Sequence, residues 1–149
     1  MVDLFSKRQF GKSAKVVNRL AVAPMTTAQS HPDGRVSEAE MAWLERLAAD
    51  GYGMVITCAA AISTESIAFH NQMSLGDDRF LPGLAALAKR LKAYPTLSIV
   101  QLCHGGSRAI VELTGMPARS ASAYEVPTIP GFISPRALTT AAIAQVVAD

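Results

Sequence analysis

Cysteine is scarce: Cys58 and Cys103 are the only two in 149 residues, too few for a disulfide framework and without the CxxC spacing of a redox or zinc motif. Both sit among apolar or small neighbours, which reads as a pair of buried structural thiols in a reducing compartment and makes the cytoplasm the expected location. Charge is also sparse, at 17% of residues. No run of five like charges occurs, so the footprint of a nucleic-acid binder is missing. The longest uncharged stretches, Gly51–Thr64 and Ala93–Ser107, fall short of the ~20 residues that a helical membrane span needs. Lys7, Arg8 and Lys12 near the start have no continuous apolar block behind them, so no secretory signal is expected. His104 has no second His, Asp or Glu at metal-ligand spacing, which leaves a hydrogen-bonded structural histidine and no metal site. Gly105-Gly106 fits neither a Walker loop nor a complete GxGxxG and reads as a backbone turn.

What is present is apolar material, 50% of the residues, ample for a buried core. Fourteen basic and twelve acidic residues leave a net charge of +2. Three short apolar runs, Arg19–Ala23, Met54–Ala59 and Leu97–Leu102, do not alternate polar with apolar, the pattern of strands buried on both faces of a parallel sheet. Helical patterns fill the gaps. Ser37 and Glu40 form a capping box ahead of Met41, Leu44, Leu47 and Ala48. Pro82 opens a second helix with Leu84, Leu87, Ala88 and Leu91 as its stripe, and Pro95 ends it. Thr139 or Thr140 caps a third, with Ala141, Ala142, Ile143, Val146 and Val147 following. The fold class is therefore α/β, built from strand–helix units. Between Ala109 and about 138 the chain turns to Pro, Gly, Ser and Ala, a long excursion after the third strand. Three units cannot close a barrel of eight strands, and an open three-stranded parallel sheet leaves edges exposed. The expectation is one domain that is part of something larger.

Ligands in barrels and open α/β sheets bind beyond the carboxyl ends of the strands. Here those ends carry Pro24, Met25, Thr26 and Thr27, then Ala59, Ala60 and Ala61, then Gln101, Leu102, Cys103, His104, Gly105 and Gly106. In isolation the first group reads as a turn, and Gln101 can equally serve to satisfy loop backbone groups.

Taken together, the runs Asn18-Arg19-Leu20-Ala21-Val22-Ala23-Pro24-Met25-Thr26-Thr27, Gly53-Met54-Val55-Ile56 into Cys58-Ala59, and Gln101-Leu102-Cys103-His104-Gly105-Gly106 resemble the N-terminal part of the old yellow enzyme family. The resemblance covers about the first three strands of eight and implies a partial TIM (β/α)8 barrel over residues 1–149. It also implies FMN as cofactor, NAD(P)H as reductant and, in a full-length enzyme, an electron-poor alkene or enone as substrate. The expected cofactor contacts are Pro24, Met25, Thr26, Ala59 and Gln101. Gln101 presents an amide able to pair with flavin N3–H and O2 together, and Thr26 a hydroxyl that can donate to O4. Pro24, Met25 and Ala59 would add backbone groups and close packing. No residue is assigned a catalytic role. The family's histidine-and-glycine element continues directly to arginine, whereas Ser107 stands here and Arg108 follows. Its substrate-anchoring His/His or His/Asn pair, its proton-donating tyrosine and its phosphate loops belong to later strands. The isolated chain is therefore expected to bind FMN weakly and not to turn over. The alternative is a non-catalytic half-barrel that covers its sheet edges with a partner or a second copy.

Overall fold

The computed structural model describes residues 3–125 and 133–148. Met1, Val2 and Asp149, and residues 126–132 of the expected excursion, lie outside the described residues. The central element is a parallel three-stranded sheet in the order β3 (Ala21–Val22), β4 (Met54–Ala61), β5 (Leu97–Cys103). Helix α1 (Glu38–Ala49) connects β3 to β4 and α2 (Leu81–Leu91) connects β4 to β5. A strand of two residues replaces the expected five, because only Ala21 and Val22 pair with β4.

Preceding the sheet is an antiparallel hairpin, β1 (Arg8–Phe10) with β2 (Ala14–Val16), in register Arg8↔Val16. The apolar runs did not disclose it, since β1 is exposed throughout and three-residue strands give little periodicity to read. Arg8, Phe10 and Val16 line a cleft with Ala21 and Met54, the first residues of β3 and β4. The hairpin therefore covers the amino ends of the sheet, opposite the edge where ligands bind.

Helix α1 starts at its N-cap Ser37, whose hydroxyl accepts the Glu40 N–H at 3.1 Å. Leu44 and Ala48 follow Glu40 at successive turns as its buried residues, the i, i+4, i+8 row of one helix face. They pack with Val22, Val55, Cys58, Ala60, Met73, Leu87 and Leu91 in one core between helices and sheet. In α2, Leu87 and Leu91 are buried and Leu84 packs beside them, but Ala88 is exposed, against its expected place in the buried stripe. Leu84, Leu87, Ala88 and Leu91 flank an apolar groove over Ile99 and Val100. It stays open because β5 is the edge of the described sheet, with no further unit beside it. Arg90 bonds both carboxylate oxygens of Glu38 at 2.7 Å and so ties α2 to α1 across the surface. That hydrogen-bonded guanidinium holds the Glu38 carboxyl below its ordinary range.

Beyond β5 the chain makes a turn at Gly106–Arg108, a short helix α3 (Val111–Thr114) and two strands, β6 (Arg119–Ser120) and β7 (Arg136–Ala137), paired in parallel. Helix α4 (Thr140–Ala148) then begins where expected, with the Thr139 hydroxyl accepting the Ala142 N–H. None of the described helices is long and apolar enough to cross a membrane.

Asn18 fastens the start of β3. Its Oδ1 accepts the N–H groups of Leu20 and Gly53 at 3.0 and 2.8 Å, and its Nδ2 donates to Gly51 O at 2.7 Å. Gly53 is required by proximity: a Cβ there would lie 2.4 Å from the Asn18 carbonyl oxygen. Asn18→Ala should lower unfolding stability by roughly 1–3 kcal/mol through the polar groups left without partners. Gly53→Ala should cost more, because backbone and not a flexible side chain opposes the new methyl. Denaturant midpoints at constant slope measure both.

Candidate functional site

The carboxyl ends of β3, β4 and β5 form one edge of the sheet, because all three strands are parallel. Ladder partners fix their relative heights. Val22 pairs with Val55, and Ala59, four residues further along β4, pairs with Gln101. Ala59 and Gln101 are thus neighbours, and Pro24, Met25 and Thr26 follow directly where β3 ends at that edge.

The ladder contains an irregularity that sequence reading missed. Ile56 pairs with Ile99 and Ala59 with Gln101, so β4 spends three residues where β5 spends two. This is a bulge at Thr57 and Cys58, of the kind that re-aims side chains beside functional sites. Side chains alternate along a regular strand, but here Val55 and Cys58, three apart, both enter the helix-side core. Ile56 and Ala59 correspondingly share the inner face, where both are half-buried. The Thr57 side chain braces the bulge: its Oγ1 accepts the Gln101 N–H at 3.3 Å and donates to the Cys58 carbonyl at 2.9 Å.

The inner face is only partly covered. Val22 is in the core, whereas Ala21 and Ala23 on the alternate face are exposed. That corrects the reading of strands buried on both faces, and the reason is that the layer which would cover the inner face is not among these residues. Met25 is 49% exposed, Thr26 is exposed and Pro24 half-buried. Among the described residues, neither the Gln101 side-chain amide nor the Thr26 hydroxyl has a hydrogen-bond partner. Gln101 therefore does not satisfy loop backbone groups. Among the described residues, its amide and the Thr26 hydroxyl are unused donors and acceptors at the ligand edge of a face that carries Ala21, Ala23, Ile56 and Ala59, a set that fits the edge of a planar heteroaromatic ring.

Beneath this face lies a second feature that sequence reading missed. Glu40, taken as half of a capping box, does not reach back to Ser37. The residue is 1% exposed, and its side chain accepts from Thr27 Oγ1 at 3.1 Å, Cys58 Sγ at 2.6 Å and Ser30 Oγ. The chemistry of S/T-x-x-E is the same for a cap and for a buried acceptor, and only the packing of α1 on β4 separates them. Burial, reinforced by the hydrogen bond to Glu40, raises the Cys58 thiol far above its ordinary range. Cys58 is buried as expected, while Cys103 is only half-buried, at the edge of the sheet.

His104 sits at the end of β5, its Nδ1 accepting the Gly106 N–H at 2.9 Å. Nε2 faces Glu65 at 3.8 Å, and the other Glu65 oxygen is 3.2 Å from Arg119. Nδ1 thus makes the kind of hydrogen bond expected of a structural histidine, while the buried Nε2 has no hydrogen-bond partner among the described residues. Gly106, at φ +58°, makes the turn after it, and Arg108 on that turn is exposed. Among the described residues no group of three His, Cys, Asp or Glu is placed to hold a metal ion.

The raised Cys58 thiol has a pH consequence. Above the ordinary thiol value of 9.0 the unfolded chain releases this proton and the folded chain keeps it, so stability present in full below pH 9 falls as pH rises beyond it. Cys58→Ala should flatten that alkaline loss by up to about 1.4 kcal/mol per pH unit, measured as denaturant stability of the two proteins from pH 8 to 10.5.

Comparison with known proteins bears on the same residues. The family model described as NADH:flavin oxidoreductase / NADH oxidase matches residues 3–149. The probable NADH-dependent flavin oxidoreductase YqiG of Bacillus subtilis is 38% identical over 110 residues, which is 74% of this chain and 29% of that protein. An NADPH dehydrogenase of Bacillus licheniformis is 31% identical over 104 residues, 69% of this chain and 31% of its own length. The chain thus spans about three tenths of these relatives. Among solved structures, the old yellow enzyme homologue of Zymomonas mobilis superposes with a TM-score of 0.88 at 23% identity, over 99% of this chain and 42% of that one. Morphinone reductase gives 0.86 at 22%, over 97% and 42%. These likenesses identify the sheet and its helices as the first strand–helix units of a TIM barrel. With a family match across nearly its whole length, this chain belongs to the NADH:flavin oxidoreductase / NADH oxidase family.

Proposed function

We propose that residues 1–149 form the N-terminal part of the FMN-binding barrel of an NAD(P)H-dependent oxidoreductase, in which Gln101, Thr26, Ala59, Pro24 and Met25 hold the flavin. The observation that carries this reading is the pairing of Ala59 with Gln101 beside the end of β3, with two unpartnered polar side chains at that edge. When bound, FMN supplies an N5 that accepts and donates hydride. Gln101 would pair its carbonyl and amide with the N3–H and O2 of the ring, Thr26 would donate to O4, and Ala59 would let the ring lie close to the sheet. Pro24 and Met25 would pack against its edge. In the complete enzyme the acceptor would be an electron-poor alkene or enone, and the segment from about 109 to 138 would help to form its entrance.

Affinity for FMN in such barrels rests largely on phosphate contacts after the seventh and eighth strands, so this chain should bind the cofactor weakly and should not turn over. The ring contacts remain testable. In a titration followed by visible absorption, Gln101→Ala should weaken FMN binding roughly tenfold, the loss of about 1.4 kcal/mol expected for hydrogen bonds to the ring. Thr26→Val should weaken it less and displace the flavin absorption bands. Equal affinity and equal spectra in both variants would remove the proposed ring contacts.

A second reading, a non-catalytic half-barrel that assembles with a partner or another copy, is favoured by the apolar residues left uncovered. Leu102 is 65% exposed, Val100 45% and Val147 82%. Size-exclusion chromatography separates the two: a defined oligomer that takes up no flavin supports assembly, and a flavin-binding species supports the first reading.

A further inference from the structure

Glu40 lies outside the proposed ring contacts, yet its bonds reach two of the elements that carry them. It is the third residue of α1, near the positive end of the helix dipole. It is buried, and among the described residues no lysine or arginine pairs with it. A buried carboxylate without a cation is costly unless several donors satisfy it. The three donors it has are neutral and come from different places: Thr27 and Ser30 from the loop after β3, and Cys58 from the bulge of β4. Thr27 adjoins Thr26, and Cys58 adjoins Ala59. The bulge turns Cys58 toward the helices and Ala59 toward the inner face, so a bond that fixes one fixes the height and tilt of the other. Pro24, Met25 and Thr26 belong to no strand or helix, and β3 supplies only two ladder residues before them.

We infer that Glu40 is a positioning residue for flavin chemistry, a buried acceptor that clamps the Pro24–Thr27 segment to the Thr57–Cys58 bulge and so sets where the Thr26 hydroxyl and the Ala59 surface meet the ring. The inference rests on the proposed flavin site for its functional meaning, but the clamp is a property of this chain by itself. The Cys58 thiol, raised first by burial, is raised further by its hydrogen bond to Glu40. Ser37 joins the same assembly: its hydroxyl donates to Gln29 O at 2.5 Å and accepts the Glu40 N–H, so the stretch from Thr27 to Ser30 is bonded to the start of α1 through both Glu40 and Ser37.

The test is amide hydrogen exchange on the purified chain, compared with Glu40→Gln and Glu40→Ala, alongside FMN titration. Glu40→Gln keeps the volume and one acceptor oxygen and covers the case in which Glu40→Ala fails to fold. Exchange at residues 24–30 and 57–60 should rise at least tenfold in either folded variant, with α2 and β5 unchanged, and Cys58 should react faster with a disulfide reagent. FMN affinity should fall severalfold, and Glu40→Asp, which keeps the charge, should recover part of it. Exchange unchanged at 24–30, or raised uniformly over the chain, would overturn the clamp and leave Glu40 as an ordinary contributor to stability. A local rise in exchange with unaltered affinity and spectrum in a wild-type chain that does bind FMN would overturn its positioning role. If the wild-type chain takes up no flavin while exchange rises locally, the flavin reading fails and the clamp stands.

Discussion

The arrangement depends on a parallel ladder with one residue too many. Between Ile56 and Ala59 strand β4 contains a residue that β5 does not match, and every assignment of side chains to a face follows from that. Without the bulge, strict alternation would send Cys58 and Ala59 to the opposite layers. With it, Cys58 faces the helices and Glu40, and Ala59 faces the inner surface beside Gln101. The Thr57 hydroxyl spans the irregularity by bonding to both strands, which gives the buried polar group of the bulge its partners.

The short β3 shows a complementary constraint. Two ladder residues cannot define a strand's course, so polar side chains hold it at both ends. Asn18 ties its beginning to the α1–β4 connection through three hydrogen bonds. Thr27 and Ser30 tie the segment beyond its end to Glu40 on α1. The strand is an extended link between two hydrogen-bonded anchors. The residues between them, Pro24, Met25 and Thr26, are those that the family resemblance singles out.

The exposed apolar residues have a common geometry. Ala21 and Ala23 on the inner face, Val100 and Leu102 on β5 and Val147 on α4 all belong to surfaces that a barrel would close with further strand–helix units. Solved barrels of the same fold match this chain over about two fifths of their length. A hairpin covers the opposite, amino-terminal end of the sheet.

The sequence by itself determined the strand–helix alternation, the start of α1 at Ser37, the start of α4 after Thr139 and the three groups of residues at the ligand edge. These follow from local chemistry: apolar runs that pair, hydroxyls that cap, and prolines that interrupt helices. It also carried the family, through the Ala23-Pro24-Met25 turn and the Gln101-Leu102-Cys103-His104 element at their separation. Tertiary structure alone decided the rest. A bulge leaves no mark in composition, because it consists of two strands counting differently over the same distance. The purpose of Glu40 was hidden because a carboxylate three residues after a serine suits a helix cap and a buried acceptor equally, until the packing of α1 against β4 brings Cys58 to its oxygen. That Gln101 and Thr26 have no side-chain hydrogen-bond partner among the described residues is likewise a matter of where neighbours fail to come, which only three-dimensional packing settles.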